Sequence, residues 1–396
     1  MRALGYATVE GIADFSQNVG SLPVQALVKP GFLKGKGDII FPEEGQSAEQ
    51  ISERFKTHLL PGVSSWLHPH YFSFFQSNPH VFTHFGCLLQ HALNERNDAT
   101  SPLAAHLEDL TAQWAAQMLG VPKKMWPSEP DGVSQVANTA SEAFRIMGAV
   151  AKQLKPLEPG QRPLAYVFEQ ANYSVNRALL CLNMTVRSVK ATLEKDNYST
   201  DLEDLRATLK QDIEEGGVPV IYIATVGTTS TLANEPLAPI KAICDEFGMW
   251  LHVDSAMAGF AACVPEIRVD LFKDIELADS LTVNFSKWPG AGMDASFLWS
   301  SRKSEVSTAL GVKPDSPRDP ENFTVGAPKP MRALKIWTLM KGVGGAWFQN
   351  LVTRSISFAK LLEELLEKDG RFEVFRVLAL VCARLKGEGE EIDTLN

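Results

Sequence analysis

Residues 280–292 read SLTVNFSKWPGAG, and the reading of this stretch decides the fold. The run SLTVNF at 280–285 has the composition of a buried strand, and it meets a lysine, a tryptophan, a proline and two glycines. Lysine is by default a solvated surface residue. The case for Lys287 as anything more therefore rests on its neighbours.

Working outward, short apolar runs recur on both sides: LAYVF at 164–168, VRSVK at 186–190, VPVIYIAT at 218–225, WLHVD at 250–254 and SFLWS at 296–300. Helical segments such as LEDLRATLKQDIEE and LAPIKAICDEFG lie between them. Strand, helix and strand at these spacings predict an α/β fold with a mostly parallel central sheet flanked by helices. Upstream, AAHLEDLTAQWAAQML predicts a helix over about 104–118, and the Pro- and Gly-rich segment to about residue 62 predicts an extended arm with one or two helices. Downstream, SISFAKLLEELLEKDG predicts a helix with an apolar face at Phe358, Leu361, Leu362, Leu365 and Leu366, followed by one strand-like run, VFRVLALVCARL. The expected division is an N-terminal arm and dimerisation segment over 1–85, a large α/β domain over 86–339 and a small C-terminal domain over 340–396.

Composition excludes several classes of function. The 396 residues are 45% hydrophobic and 21% charged, with a net charge of −9, so there is no basic footprint for nucleic acid or an anionic membrane. No apolar run reaches the roughly 20 residues that span a bilayer, and MRALGYATVEGIADF lacks the uncharged core of a signal peptide. Five scattered cysteines without a CxxC pair argue for reduced thiols and a cytoplasmic setting. His80, His84 and His91 share helical spacing, with His68 and His70 nearby, but no HExxH or Cys/His zinc pattern accompanies them, so no metal is expected. The glycines of GFLKGKGD lack the GK[ST] of a P-loop and are expected in turns.

In an open parallel sheet, ligands collect beyond the carboxyl ends of the strands. Asp254 ends WLHVD there, and a carboxylate in an apolar strand calls for a cation or a protonated nitrogen, or else caps the following turn. In ANTASEAF, residues 137–144, Thr139 and Glu142 have capping-box spacing, so a helix N-terminus with the hydroxyls of Thr139 and Ser141 can receive a phosphate or simply be capped. Lys287 at a strand end can form a Schiff base with a carbonyl if its pocket is partly desolvated. Phosphate site, carboxylate and lysine, in that order, suit pyridoxal 5′-phosphate.

The ordered motifs NTASEA, ATVGTTS, LHVDSAMAG and NFSKW, with PGVSSWLHPHYFSFF upstream and ALKIWTLMKGVGG and RFEVF…LVCARLKG downstream, extend over nearly the whole chain. In them the chain resembles the group II pyridoxal-phosphate decarboxylases, most of all the aromatic-L-amino-acid decarboxylases. The resemblance implies the fold type I architecture of the aspartate aminotransferases and a homodimer with shared active sites. It implies a carboxy-lyase that decarboxylates an L-amino acid, aromatic by preference, to the amine. By matched position, Lys287 would bind the cofactor aldehyde, Asp254 would face the pyridinium nitrogen, and His252 would orient Asp254. Thr139, Ala140, Ser141 and Asn284 would hold the phosphate, Ala256 would pack on the ring and Thr229 would sit near its hydroxyl. Trp66, His68, Pro69, Tyr71 and Phe72 would line the substrate pocket. No arginine lies between Arg54 and Arg96 to favour an acidic substrate.

Three departures bear on the outcome. Asn172 in QANYSV stands where the family stacks a histidine on the cofactor, and Ser286 stands where a histidine precedes the lysine. The tyrosines are at 6, 71, 166, 173, 198 and 222, so none follows the lysine to protonate the carbanion, and STALGVKPDSPRDPENFTVG offers only Phe323. Asparagine at the first position, or phenylalanine at the last, is associated within the family with aldehyde synthases, which couple decarboxylation to oxidative deamination; Tyr173, water or a partner residue could instead donate the proton. The chain also ends early relative to the family, so the small domain is expected to be incomplete and a non-catalytic, truncated relative is a third reading.

Overall fold

The computed structural model describes residues 2–36, 41–72, 75, 78–95, 102–194, 197–311 and 329–387. They form two compact units, Met1–Asn78 and Pro79–Asn396. The first comprises a helix at Arg2–Asn18, short turns, and a helix at Ala48–Arg54 whose start is closed by a reciprocal Ser47–Gln50 capping box.

The second unit is built on a seven-stranded sheet. Its strands are β1 (Val133–Ala137), β2 (Arg162–Phe168), β3 (Thr185–Val189), β6 (Gly217–Thr225), β7 (Trp250–Asp254), β8 (Ser280–Asn284) and β9 (Ser296–Ser300), while β4 (Ala191–Glu194) and β5 (Asn197–Thr200) make a separate hairpin. The order is β1-β9-β8-β7-β6-β2-β3. β9 runs antiparallel to both neighbours, and every other pairing is parallel. The central strands are apolar nearly throughout because both faces are covered. On one face Tyr166, Tyr222, Leu251, Val253, Leu281 and Trp299 pack with Leu205, Leu209, Leu237 and Ile240 from the helices at Leu202–Glu214 and Leu237–Phe247. On the other, Ala165, Val167, Ile221, Ile223 and Leu298 meet Phe144, Met147, Val175 and Leu179 from the helices at Ala140–Gln153 and Tyr173–Leu180.

The structure departs from expectation at the margins of this sheet. β1, only VSQVA, was not predicted; two of its five residues are polar, and its place comes from pairing with β9. VFRVLALVCARL is not one strand but a hairpin, β10 (Phe372–Val377) and β11 (Leu380–Leu385), turned at Leu378 in a left-handed conformation with φ 49°. No Gly or Asn marks that turn, so the sequence carries no signal for it. The segment SISFAKLLEELLEKDG is the C-terminal part of one helix, Ala333–Asp369, which is interrupted at Gly344 (φ 73°). Phe358, Leu361, Leu362 and Leu365 of its apolar face are exposed, not core.

Candidate active site

The carboxyl ends of five strands hold the candidate residues of the second unit. Thr139, Ala140 and Ser141 follow β1, Asn172 follows β2, Thr229 follows β6, Asp254 and Ala256 lie at the end of β7, and Asn284 and Lys287 at the end of β8. Backbone bonds lock these ends together: Val226 N donates to Asp254 O at 2.9 Å, Ser255 N to Thr282 O at 3.0 Å and Asn284 N to Ala256 O at 3.3 Å. The chain leaves β2 toward β3 and leaves β6 toward β7, so its direction across the sheet reverses between β2 and β6, the customary ligand position in such sheets. Asn172 Nδ2 donates to Thr229 Oγ1 there at 3.0 Å, while Asn172 Oδ1 accepts from Ser174 N and caps the following helix.

Asp254 is buried, and among the described residues only the Ala256 N–H, at 2.9 Å, donates to its side chain. Burial pushes its carboxyl upward, against the Ala256 hydrogen bond and the nearby Lys287 charge. Lys287 is partly buried, and desolvation lowers its ammonium while Asp254 opposes the shift. Its Nζ has no hydrogen-bond acceptor among the described residues, although its backbone N–H is fixed to Asn284 O at 3.2 Å. Desolvation of this kind favours the neutral amine, while the Asp254 charge favours the ammonium.

His252 makes no hydrogen bond to Asp254 among the described residues. Its Nδ1 pairs with Ser280 Oγ at 2.7 Å and its Nε2 with Thr282 Oγ1 at 3.2 Å, both on β8, and Phe144 packs edge-on at 5.7 Å. Full burial pulls its pKa down to about 3, so the ring is neutral at ordinary pH. Through these two hydroxyls the imidazole links β7 to β8.

Thr139 caps the helix Ala140–Gln153 by accepting from Glu142 N at 3.2 Å, and Glu142 reaches back to Asn138 N at 2.6 Å, one residue short of the capping box foreseen. The hydroxyl of Ser141 has no partner among the described residues. Asn284 Oδ1 accepts from Ser286 N at 2.9 Å, and Ser286 Oγ accepts from Ala295 N at 3.1 Å.

The substrate-pocket candidates belong to the N-terminal unit. Trp66 stacks on Tyr71 at 5.5 Å, and Trp66, Pro69 and Phe72 are exposed. His68 differs: it is buried, with Nε2 against Gly20 O at 3.1 Å and Nδ1 accepting from His70 N at 2.9 Å, so it holds the arm together. His80 caps the helix Val81–Leu93, accepting from Phe82 N, and burial lowers both it and His84. Phe323 lies outside the described residues.

Sequence reasoning missed several groups. Thr225 Oγ1 and Ser296 Oγ are buried without partners among the described residues; Thr225 pairs with Asp254 and Ser296 with Asn284 in strand register, so both stand beside candidate residues. Glu235 is wholly buried, accepting from Tyr222 OH at 2.6 Å, from Thr200 Oγ1 and from Thr225 N; burial pushes its carboxyl up to about 7. It closes the base of the loop that carries Thr229. Only the strand register, which no local pattern reveals, brings these groups to the site.

A model of the pyridoxal-dependent decarboxylase conserved domain matches residues 30–386. The chain belongs to this family. It is 29% identical to a phenylacetaldehyde synthase of a Rosa hybrid cultivar over all of this chain and 83% of that protein. It is 30% identical to a tyrosine decarboxylase of Papaver somniferum, covering 97% and 80% respectively. Oryza sativa TDC, solved with PLP and tryptamine, superposes with a TM-score of 0.92 at 28% identity over 97% of this chain and 83% of that one. The fold is therefore type I, and the family's cofactor is pyridoxal 5′-phosphate. The residues present fit it: among the described residues, an amine without an acceptor, a buried carboxylate with one donor and a helix N-terminus with an unpartnered Ser141 hydroxyl would suit its aldehyde, ring nitrogen and phosphate. No described helix is long and apolar enough to cross a membrane.

Proposed function

We propose that this decarboxylase acts on an aromatic L-amino acid of the Trp, Tyr, Phe or DOPA type and that Lys287 is its cofactor-binding lysine. The observation that carries the reading is the pair Asp254 and Lys287, at adjacent strand ends, desolvated and, among the described residues, without a side-chain hydrogen-bond partner. The bound cofactor supplies an electrophilic carbonyl and an electron sink for the bond to the departing carboxylate. Lys287 would present its amine to that carbonyl. Asp254, fixed by the Ala256 N–H, would keep a proton on the ring nitrogen, and Ala256 would pack against the ring. Thr139, Ala140, Ser141 and Asn284 would hold the phosphate, and Thr229 would stand near the ring hydroxyl. His252 is a positioning residue that ties β7 to β8.

An aromatic substrate is supported by the relatives, whose names specify tyrosine, DOPA and phenylacetaldehyde chemistry. Within the N-terminal unit, the exposed rings of Trp66 and Phe72 and the half-buried ring of Tyr71 are aromatic surface of the kind such a side chain packs on. A second reading, the aldehyde synthase, is favoured by Asn172: its amide is committed to Thr229 and to the helix cap, so it offers no imidazole-type acid. Phenylacetaldehyde synthases are among the relatives. The two are separated by following CO₂, amine, oxygen and peroxide together with each of the four amino acids. Amine equal to CO₂ without oxygen uptake identifies the simple decarboxylase; peroxide and oxygen uptake in step with CO₂ identify the synthase. No CO₂ from any of them would sink both.

A homodimer is supported by the helix Val81–Leu93, which exposes Val81, Phe85, Leu88, Leu89 and Leu93, an apolar stripe costly to leave in water. A cytoplasmic setting is supported by the five cysteines, all free.

A further inference from the structure

The segment leading into the long helix Ala333–Asp369 and the first turn of that helix bury three cations: Lys329, Arg332 and Lys335 are 3%, 9% and 6% exposed. Two of them are satisfied. Lys329 pairs with Glu108, and Lys335 Nζ donates to Met293 O. Arg332 is not: among the described residues its buried Nε–H has no acceptor, and no carboxylate pairs with it. A buried guanidinium N–H without an acceptor is costly, and an anion is the partner that best satisfies it. Glu142 and Asp294 act on the flanking lysines, but neither pairs with Arg332.

Its position indicates which anion. Glu108 also accepts from Val136 N at 2.7 Å, so Lys329 is fixed near the end of β1, which leads into Thr139 and Ser141. Met293 lies on the loop that follows Lys287. Burial holds both lysines below the usual ammonium range, and the Arg332 charge adds to that lowering. Arg332 therefore sits on the stretch of chain between Lys329, tied to the end of β1, and Lys335, tied to the loop that follows Lys287.

We propose that Arg332 anchors an oxyanion of the reacting complex, either the cofactor phosphate or the carboxylate of the amino acid. This rests on the cofactor reading above. Bidentate guanidinium pairing with either group is geometrically natural. The test is equilibrium binding, read by the visible band and by tryptophan fluorescence, for the wild type, Arg332→Met and Arg332→Lys. Pyridoxal phosphate and pyridoxal are titrated into apoprotein; an aryl propionate and the matching aryl ethylamine are titrated into holoprotein. If the anion is the phosphate, Arg332→Met weakens pyridoxal phosphate about ten- to hundredfold and leaves pyridoxal unchanged. If it is the carboxylate, the aryl propionate weakens by a similar factor while the amine does not. Arg332→Lys, which keeps the charge, should lose less in the same arm and serves if the methionine variant does not fold. Unchanged affinities for all four ligands, whatever the melting temperature, overturn the proposal. A wild type that gains no visible band with pyridoxal phosphate overturns the cofactor reading itself, a result distinct from any Arg332 phenotype.

Discussion

At the residue scale, Asp254 and Lys287 are charges that the fold withdraws from water at one spot. Lys287→Ala should abolish the visible band formed with pyridoxal phosphate, and retention of that band in the variant would exclude this lysine. Asp254→Asn keeps the side chain's size but not its charge. It should lower kcat about a hundredfold or more while the cofactor still binds, which single-turnover CO₂ release and absorbance measure separately. Both residues were legible in the sequence because a lysine and an aspartate that each end an apolar run are conspicuous. The partners of His252 were not. Ser280 and Thr282 meet it only because β7 and β8 pair in one register, His252 opposite Ser280. Nor was the use of His68 as a brace inside the N-terminal unit, since the same aromatic cluster reads equally well as pocket lining.

At the element scale, the loop after β6 concentrates constraints that local sequence does not announce. Gly227 sits at φ 86°, and a Cβ there would come within 2.1 Å of the Ala258 Cβ. Gly227→Ala should therefore cost more than about 2 kcal/mol in urea unfolding and loosen Thr229, weakening cofactor binding as well. Two buried groups at these strand ends give opposing pH dependences. His252, held near 3 against an ordinary 6.5, is neutral in the fold, so its contribution is complete above 6.5 and falls away as pH drops toward 3. Glu235, held near 7 against 4.5, binds its proton more tightly in the fold, so its contribution is complete below 4.5 and is lost as pH rises through 7. Between 4.5 and 6.5 the two slopes offset each other. Glu235→Gln should expose the His252 limb as a steeper rise of the urea midpoint with pH across that window; an unaltered slope would contradict the assignment. The strands of the central sheet were readable from near-continuous apolar runs. β1 and the β10–β11 hairpin were not, because an edge pairing and a leucine turn leave no local pattern.

At the scale of the whole molecule, the α/β class followed from the alternation of strand and helix, while the mutual order of the strands did not, since parallel pairing is decided by distant segments. The exposed stripe on Val81–Leu93 makes a further prediction. The wild type should sediment as a dimer, and Phe85→Glu, which places a charge in that stripe, should shift it toward monomer; a monomeric wild type would refute the dimer. The site itself is assembled from strand ends that lie between Thr139 and Lys287 in the chain and become neighbours only when β1, β2, β6, β7 and β8 are all in place. Such pairings close long loops before they gain any contact, which makes them slow to form. A half-folded chain therefore has no cofactor pocket. Cofactor uptake during refolding then becomes a clock for completion of the sheet, and free pyridoxal phosphate, by binding only the finished state, draws late and reversible folding steps toward the native protein.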